Sequence, residues 1–427
     1  MSELKPYPKY KDSGVEWIGE IPEEWNLLSL KRIATLNMGQ SPPSNSVNNI
    51  KKGLPFLQGN ADFKTTYPNP RVYCTEPLRV SKEDDILLSV RAPVGALNKS
   101  DQPYVIGRGL CAITSKFNSQ FLWYLLQHNR IELKMKLTGS TFEAVTLEDV
   151  KNLKSLLPPL EEQKKIAKYL NKKTIQVDSL IAEKKRLIEL LEEKRRAVIT
   201  ETVTKGLDPD VKMKDSGIDW IGEIPEHWKV TKLKYVGNIT MGQSPKAHYV
   251  NDEKKGLPFL QGNAEFTERY PEAIYYCDNS PRVAKKGSLL MSVRAPVGEL
   301  NNADKSYAIG RGLCAIKAND NNNTDYLYYL LSFTRTELYS KMVGSTFEAV
   351  TVRDVRELIT LQPPLKEQLG IVEHLNKVNN DINSIVLDIQ NQISKLKEYR
   401  ESLIYEAVTG KIDLRNYEPK GDIDEAH

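Results

Sequence analysis

The sequence predicts an α+β protein built from two similar units, each a mixed domain followed by one long helix, with the two helices pairing as an antiparallel coiled coil. Three observations predict this. The chain repeats itself over nearly its whole length. Two proline-free stretches of about 45 residues carry apolar side chains at spacings of three and four. Short β-favouring runs lie between clusters of Pro, Gly and Asn.

The repeat comes first because it sets the organisation. Residues 11–113 align without a gap on 214–316, and about 60 of the 103 paired positions are identical. KKGLPFLQGNA stands at 51–61 and 254–264, MGQSP at 38–42 and 241–245, SVRAPVG at 89–95 and 292–298, and IGRGLCAI at 106–113 and 309–316. Beyond two extra residues in the second copy, GSTFEAVT recurs at 139–146 and 344–351, and PPL-x-EQ at 158–163 and 363–368. The period is far above that of solenoids. One polypeptide therefore imitates a two-fold pair. The 427 residues exceed what one hydrophobic core usually organises. The divisions expected are a first mixed domain over 1–157, a helix over 158–206, a second mixed domain over 207–362, a second helix over 363–412 and an acidic tail over 413–427.

Each helical stretch follows a Pro-Pro pair, which suits a helix start, and gives way near Gly206 or Gly410, which suits a stop. In the second, the apolar stripe reads Ile371, Leu375, Val378, Ile382, Ile385, Ile389, Leu396 and Leu403, interrupted at Gln392 and Tyr399. In the first it reads Ile166, Leu170, Lys173, Val177, Leu180, Lys184, Leu187, Leu191, Lys194 and Val198. Neither helix can bury such a stripe within its own small domain, and pairing buries both. The three lysines make the first stripe an imperfect seam. Such a pair would act as a rigid spacer between the two mixed domains.

Within each mixed domain, DILLSVRA (85–92) and SLLMSVRA (288–295) read as strands, and helices are expected at about 119–136 and 324–342. Thr146 with Asp149, and Thr351 with Asp354, have capping-box spacing for a short helix. Polar side chains in glycine-flanked turns, with cations nearby, are the candidates for nucleic-acid contact. These are Gln40, Ser41, Lys51, Lys52, Gln58, Asn60, Arg91, Arg108, Ser140 and Thr141. Their second-unit counterparts are Gln243, Ser244, Lys254, Lys255, Gln261, Asn263, Arg294, Arg311, Ser345 and Thr346. Glutamine pairs two-pronged with adenine, arginine with guanine or phosphate, and lysine beside glycine suits phosphate. The competing reading is that such residues only satisfy turn backbones.

Enzymatic chemistry has little to stand on. GRGLCA (107–112) matches G-x-G-x-x-A, but CAIT reads as strand and the helix begins later, so no dinucleotide loop is expected. There is no GxxxxGK[ST] loop, no NPPY or DPPF tetrapeptide, and no HExxH among the five histidines. Cys74, Cys111, Cys277 and Cys314 recur by duplication and are expected to be buried free thiols. The lack of a CxxC pair and of an apolar leader suggests a cytoplasmic protein. A net charge of +4 permits nucleic-acid binding through a local basic groove and disfavours a DNA-mimicking inhibitor.

WIGEIPEEW (17–25), MGQSPP (38–43), SVRAPVG with GRGLCAI, GSTFEAVT, and PPLEEQKKIAKYLN (158–171), in this order and then repeated, resemble the specificity (S) subunits of Type I restriction–modification systems. The resemblance covers nearly the whole chain. It implies two target recognition domains, each reading a half-site of duplex DNA, separated by two helical regions that dock methyltransferase (M) subunits, two by symmetry. It implies a non-catalytic chain that binds no cofactor itself. S-adenosylmethionine would sit on the methyltransferases, and ATP and Mg on the restriction/translocase (R) subunits. Members commonly carry two unlike recognition domains. These two are alike, so the expected target is an inverted repeat with half-site centres roughly 10 base pairs apart. The differences between the two domains concentrate at 26–37, 43–50, 62–72 and 74–86, which leaves room for one or two base positions to differ between the half-sites. The alternatives are the DNA-recognition subunit of another bipartite restriction–modification system, and a protein scaffold that binds no DNA.

Overall fold

The structure, a computed structural model, describes residues 5–137, 144–334 and 350–418. It divides into two compact units, Met1–Lys184 with Asn391–His427, and Lys185–Gln390. The long helices Leu160–Lys205 and Leu365–Val408 each contribute residues to both units. The fold is α+β, as expected, and the two units repeat one plan.

In the first unit, strands Ala34–Met38, Leu110–Ser115, Ile86–Ser89 and Leu97–Lys99 form an antiparallel sheet in that order. All four residues of Ile86–Ser89 are buried, as befits an inner strand of near-continuous apolar character. A second, mixed sheet orders Val105–Ile106, Leu54–Leu57, Val72–Cys74 and Val47–Asn48, with its first pair parallel. The second unit repeats both sheets around Leu289–Ser292 and Leu257–Leu260. It adds a strand, Val283–Ala284, where the first unit has only an isolated bridge from Val80 to Val105.

The last strand of each domain, Lys154–Leu157 or Ile359–Gln362, pairs back onto Asn26–Ser29 or Lys229–Lys232, and so delivers the chain to its long helix. The glutamine of PPL-x-EQ then fixes that helix start. Gln163 Nε2 donates to Pro158 O (2.8 Å) while its Oε1 accepts from the Asn118 amide. Gln368 does the same with Pro363 O (2.9 Å) and the Asn323 amide. Tyr124 and Tyr329 add hydroxyl bonds to Asn171 and Asn376 on the long helices. Both predicted capping boxes form, at Thr146–Asp149 and Thr351–Asp354. The domain helices run Ser119–Leu137 and Thr324–Phe333, the second closed by Thr334, and 335–342 of the second expected helix lie outside the described residues. Residues 413–418 are not a free tail. Leu414 is fully buried and the Asp413 amide donates to Lys5 O. No described helix is long and apolar enough to cross a membrane.

The helices pair antiparallel within each unit. In the first, Arg400 binds Asp178 (2.9 Å) and Lys184 binds Gln392 (2.6 Å). In the second, Arg195 binds Asn383 (2.6 Å). The phase of the stripe needs correction. Leu170, Val177, Lys184, Leu191 and Val198 lie on the seam as expected, but the alternate positions are Thr174, Ile181, Ile188, Arg195 and Thr202. Leu180 and Leu187 are each 45% exposed, and Lys194 is exposed too. The second helix shifts likewise. Its alternate seam positions are Asn379, Val386, Ile393 and Arg400, so Gln392 and Tyr399 interrupt nothing, and Ile385 is 46% exposed. Adjacent apolar pairs such as Leu180/Ile181 and Ile385/Val386 fit a three-then-four or a four-then-three spacing equally well, and only packing decides between them.

Candidate nucleic-acid interface

Four loops meet at one end of the sheets in each unit. MGQS leaves strand Ala34–Met38, LQGNA leaves Leu54–Leu57, SVRAP leaves Ile86–Ser89, and GRG enters Leu110–Ser115. Their backbones are laced together. The Gly39 amide donates to Leu110 O (2.9 Å), Gln40 to Ile106 O (2.9 Å), Gly107 to Leu57 O (2.8 Å) and Val90 to Gly109 O (2.9 Å). The second unit repeats these bonds at Gly242, Gln243, Gly310 and Val293. The approach of MGQS to GRG demands glycine, since a Cβ on Gly39 would stand 2.1 Å from Gly107 O, and one on Gly242 would stand 2.1 Å from Gly310 O.

This lacing presents side chains outward. Arg108 Nε donates to Ser41 Oγ (3.2 Å), and Arg311 Nε to Ser244 Oγ (3.1 Å), so the same Arg–Ser pair stands exposed in both units. Arg91 and Arg294 are exposed as well, and among the described residues neither has a carboxylate partner within 4.0 Å. In the second unit the loops wall a cleft of about 910 Å³. Of the second-unit candidates named from the sequence, Ser244, Gln261, Asn263, Arg294 and Arg311 line it. Gln243 is exposed beside it without lining it.

The lysines sit apart from the lining. Lys51 and Lys254 adopt φ of 59° and 60° in the exposed turn that precedes LPFL. Asn48 and Asn251 brace that turn by accepting from the Lys52 and Lys255 amides and donating to their carbonyls. Ser140, Thr141, Ser345 and Thr346 lie outside the described residues. Only the ends of their loops are described, where Arg91 bridges Ala144 and the Val145 and Val350 amides donate to Val90 O and Val293 O.

A family model for the Type I restriction modification DNA specificity domain matches residues 22–192 and again 225–395. The chain belongs to the Type I restriction–modification specificity subunits. Among curated relatives of these specificity subunits, the putative MjaX specificity subunit of Methanocaldococcus jannaschii is 32% identical, over 93% of this chain and 96% of its own. The EcoBI specificity subunit of Escherichia coli is 22% identical, over 94% and 89%. Two solved structures share the fold. One comes from work on complex assembly and conformational transition of the type I R-M system, with 24% identity, a TM-score of 0.76, and 92% and 99% of the two chains covered. The other is the HsdS subunit from Thermoanaerobacter tengcongensis, with 24% identity, a TM-score of 0.52, and 92% and 98% covered.

Sequence reasoning missed part of this specificity subunit's cleft. Asn251, Asp252, Glu265 and Tyr275 also line it. Asp252, Glu265 and Tyr275 correspond to Asn49, Asp62 and Val72, inside two of the divergent stretches. Divergence on an otherwise repeated scaffold was the available signal. The charges around the cleft diverge with them. Burial raises the Asp62 carboxyl above its ordinary range, and nearby Arg71 and Lys64 pull it back. Glu265 has neither cation, because those positions hold Ile274 and Thr267.

Proposed function

We propose that this specificity subunit reads a bipartite duplex DNA target, each unit taking one half-site into its four-loop cleft. The observation that carries this reading is the duplicated constellation itself. Two exposed arginines without carboxylate partners stand beside turn serine, glutamine and asparagine side chains, on a backbone too tightly laced to move far. Arginine supplies both phosphate attraction and guanine recognition, while the amide side chains read adenine edges. The turn lysines suit phosphate positioning. In this reading the chain is a non-catalytic, cytoplasmic subunit. It docks two methyltransferase subunits, which bring S-adenosylmethionine, and restriction/translocase subunits, which use ATP and Mg.

The test is duplex binding by the complex assembled with its methyltransferase, over a series of salt concentrations. Arg294→Ala with Arg311→Ala is expected to weaken binding and to flatten the log–log salt dependence by about 0.9 for each phosphate no longer neutralised. Unchanged affinity and slope would reject the cleft as the DNA site.

A further inference from the structure

Glu265 is out of place in a cleft meant for a polyanion unless its charge has a particular use. One carboxylate oxygen, Oε2, is buried and has no hydrogen-bond partner, although the residue lines the open cleft. No cation lies within 4.0 Å of it among the described residues, and neither Arg294 nor Arg311 turns to it. The residue is only half-buried, so its carboxylate can turn into the cleft and accept from an N–H donor of a bound ligand. The base edges of the major groove offer such donors on cytosine N4 and adenine N6. Adenine sets the N7 acceptor beside its amino group, which repels a carboxylate, whereas cytosine sets only a C–H there.

We infer that Glu265 is a specificity-determining residue that accepts from the amino group of a cytosine in the second unit's half-site. This rests on the proposed reading that DNA enters the cleft. The first unit is not equivalent here. Asp62 is one methylene shorter, and Arg71 and Lys64 engage its charge. The two half-sites therefore differ at the position Glu265 reads, although most of the cleft lining is the same in both.

The experiment measures binding of the assembled complex to duplexes carrying each of the four bases at every half-site position. Glu265→Gln can accept from adenine N6 and donate to N7. It is expected to lose preference for cytosine at one position of the second half-site by about tenfold, with adenine gaining there. Glu265→Ala removes the acceptor and is expected to lose the cytosine preference without adenine gaining. An unchanged ranking of bases in Glu265→Gln would overturn the inference, and so would an equal loss of affinity on every duplex. Failure of the cleft reading itself shows separately, as Arg294→Ala with Arg311→Ala leaving the salt dependence untouched.

Discussion

At the scale of single residues, the reading surface is positioned by atoms that carry no recognition chemistry. Gly242 lets two backbones meet where a Cβ would stand 2.1 Å from Gly310 O and 2.8 Å from Leu313 O. Backbone carbonyls cannot swing aside as a side-chain tip can. Gly242→Ala is therefore expected to destabilise the chain by about 1–3 kcal/mol through overpacking. Gly262→Ala, whose Cβ would meet nothing within 4 Å, should melt like the parent. Denaturant titration of the two variants makes the comparison, and equal midpoints would show that the loops are not clamped there. The cysteines make a second case. All four are free and buried, and burial pushes the Cys111 and Cys314 thiols up to about 12. A thiol reacts as its thiolate, so both are expected to resist alkylation at pH 8 in the folded chain and to react once it is unfolded. Mass spectrometry of iodoacetamide-treated protein reads this directly, and labelling at either site without unfolding would contradict the burial. The buried thiols were legible from composition. The cleft's acidic and aromatic lining was not, because nothing in Asp252, Glu265 or Tyr275 taken singly distinguishes a cleft wall from any polar loop.

At the scale of elements, helices and capping boxes were legible because their signals are local. Pro-Pro, the Thr-x-x-Asp spacing and the terminal glycines each act within one turn of the chain, and Gly206 and Gly410 do take the positive φ that ends a helix, at 77° and 71°. The seam phase was half legible. One line of positions, from Leu170 to Val198, was right, and the other lay one residue off, because Lys173, Leu180, Leu187 and Lys194 are no less apolar than the true Thr174, Ile181, Ile188 and Arg195. The structure accommodates two arginines at equivalent places. Arg400 meets a carboxylate in Asp178, and Arg195 meets the carboxamide of Asn383. A pair of alanine variants separates the two phases. Ile181 is 8% exposed and Leu180 is 45% exposed. Ile181→Ala is expected to cost about 2–4 kcal/mol as a seam cavity, while Leu180→Ala should cost less than about 1 kcal/mol. Chemical denaturation of both decides the phase, and the reverse order would restore the stripe expected from apolar spacing.

At the scale of the whole molecule, the duplication makes a claim about the DNA that neither unit makes alone. Seventeen residues line the second unit's cleft, and at thirteen of the matching first-unit positions the residue is the same. The four exceptions are Ser44 against Ala247, Asn49 against Asp252, Asp62 against Glu265, and Val72 against Tyr275. Both arginines, Ser244, Gln261, Asn251 and Asn263 are among the shared thirteen, while Ser44 and Asn49 belong to the first unit alone. Direct readout depends on donor and acceptor patterns, so equal linings select equal bases, and differences are confined to the positions the four exceptions reach. The expected methylation motif of a host carrying this subunit and its methyltransferase is thus two half-sites in inverted orientation, matching at most positions and differing at one or two. Exchanging the four residues sharpens the test. A chain in which Ala247, Asp252, Glu265 and Tyr275 are replaced by Ser, Asn, Asp and Val has the first unit's lining in both clefts, and its motif is expected to move toward a perfect inverted repeat. Single-molecule sequencing of modified adenines reads both motifs. Two unrelated half-sites in the parent would mean that specificity lies in the divergent segments outside the cleft.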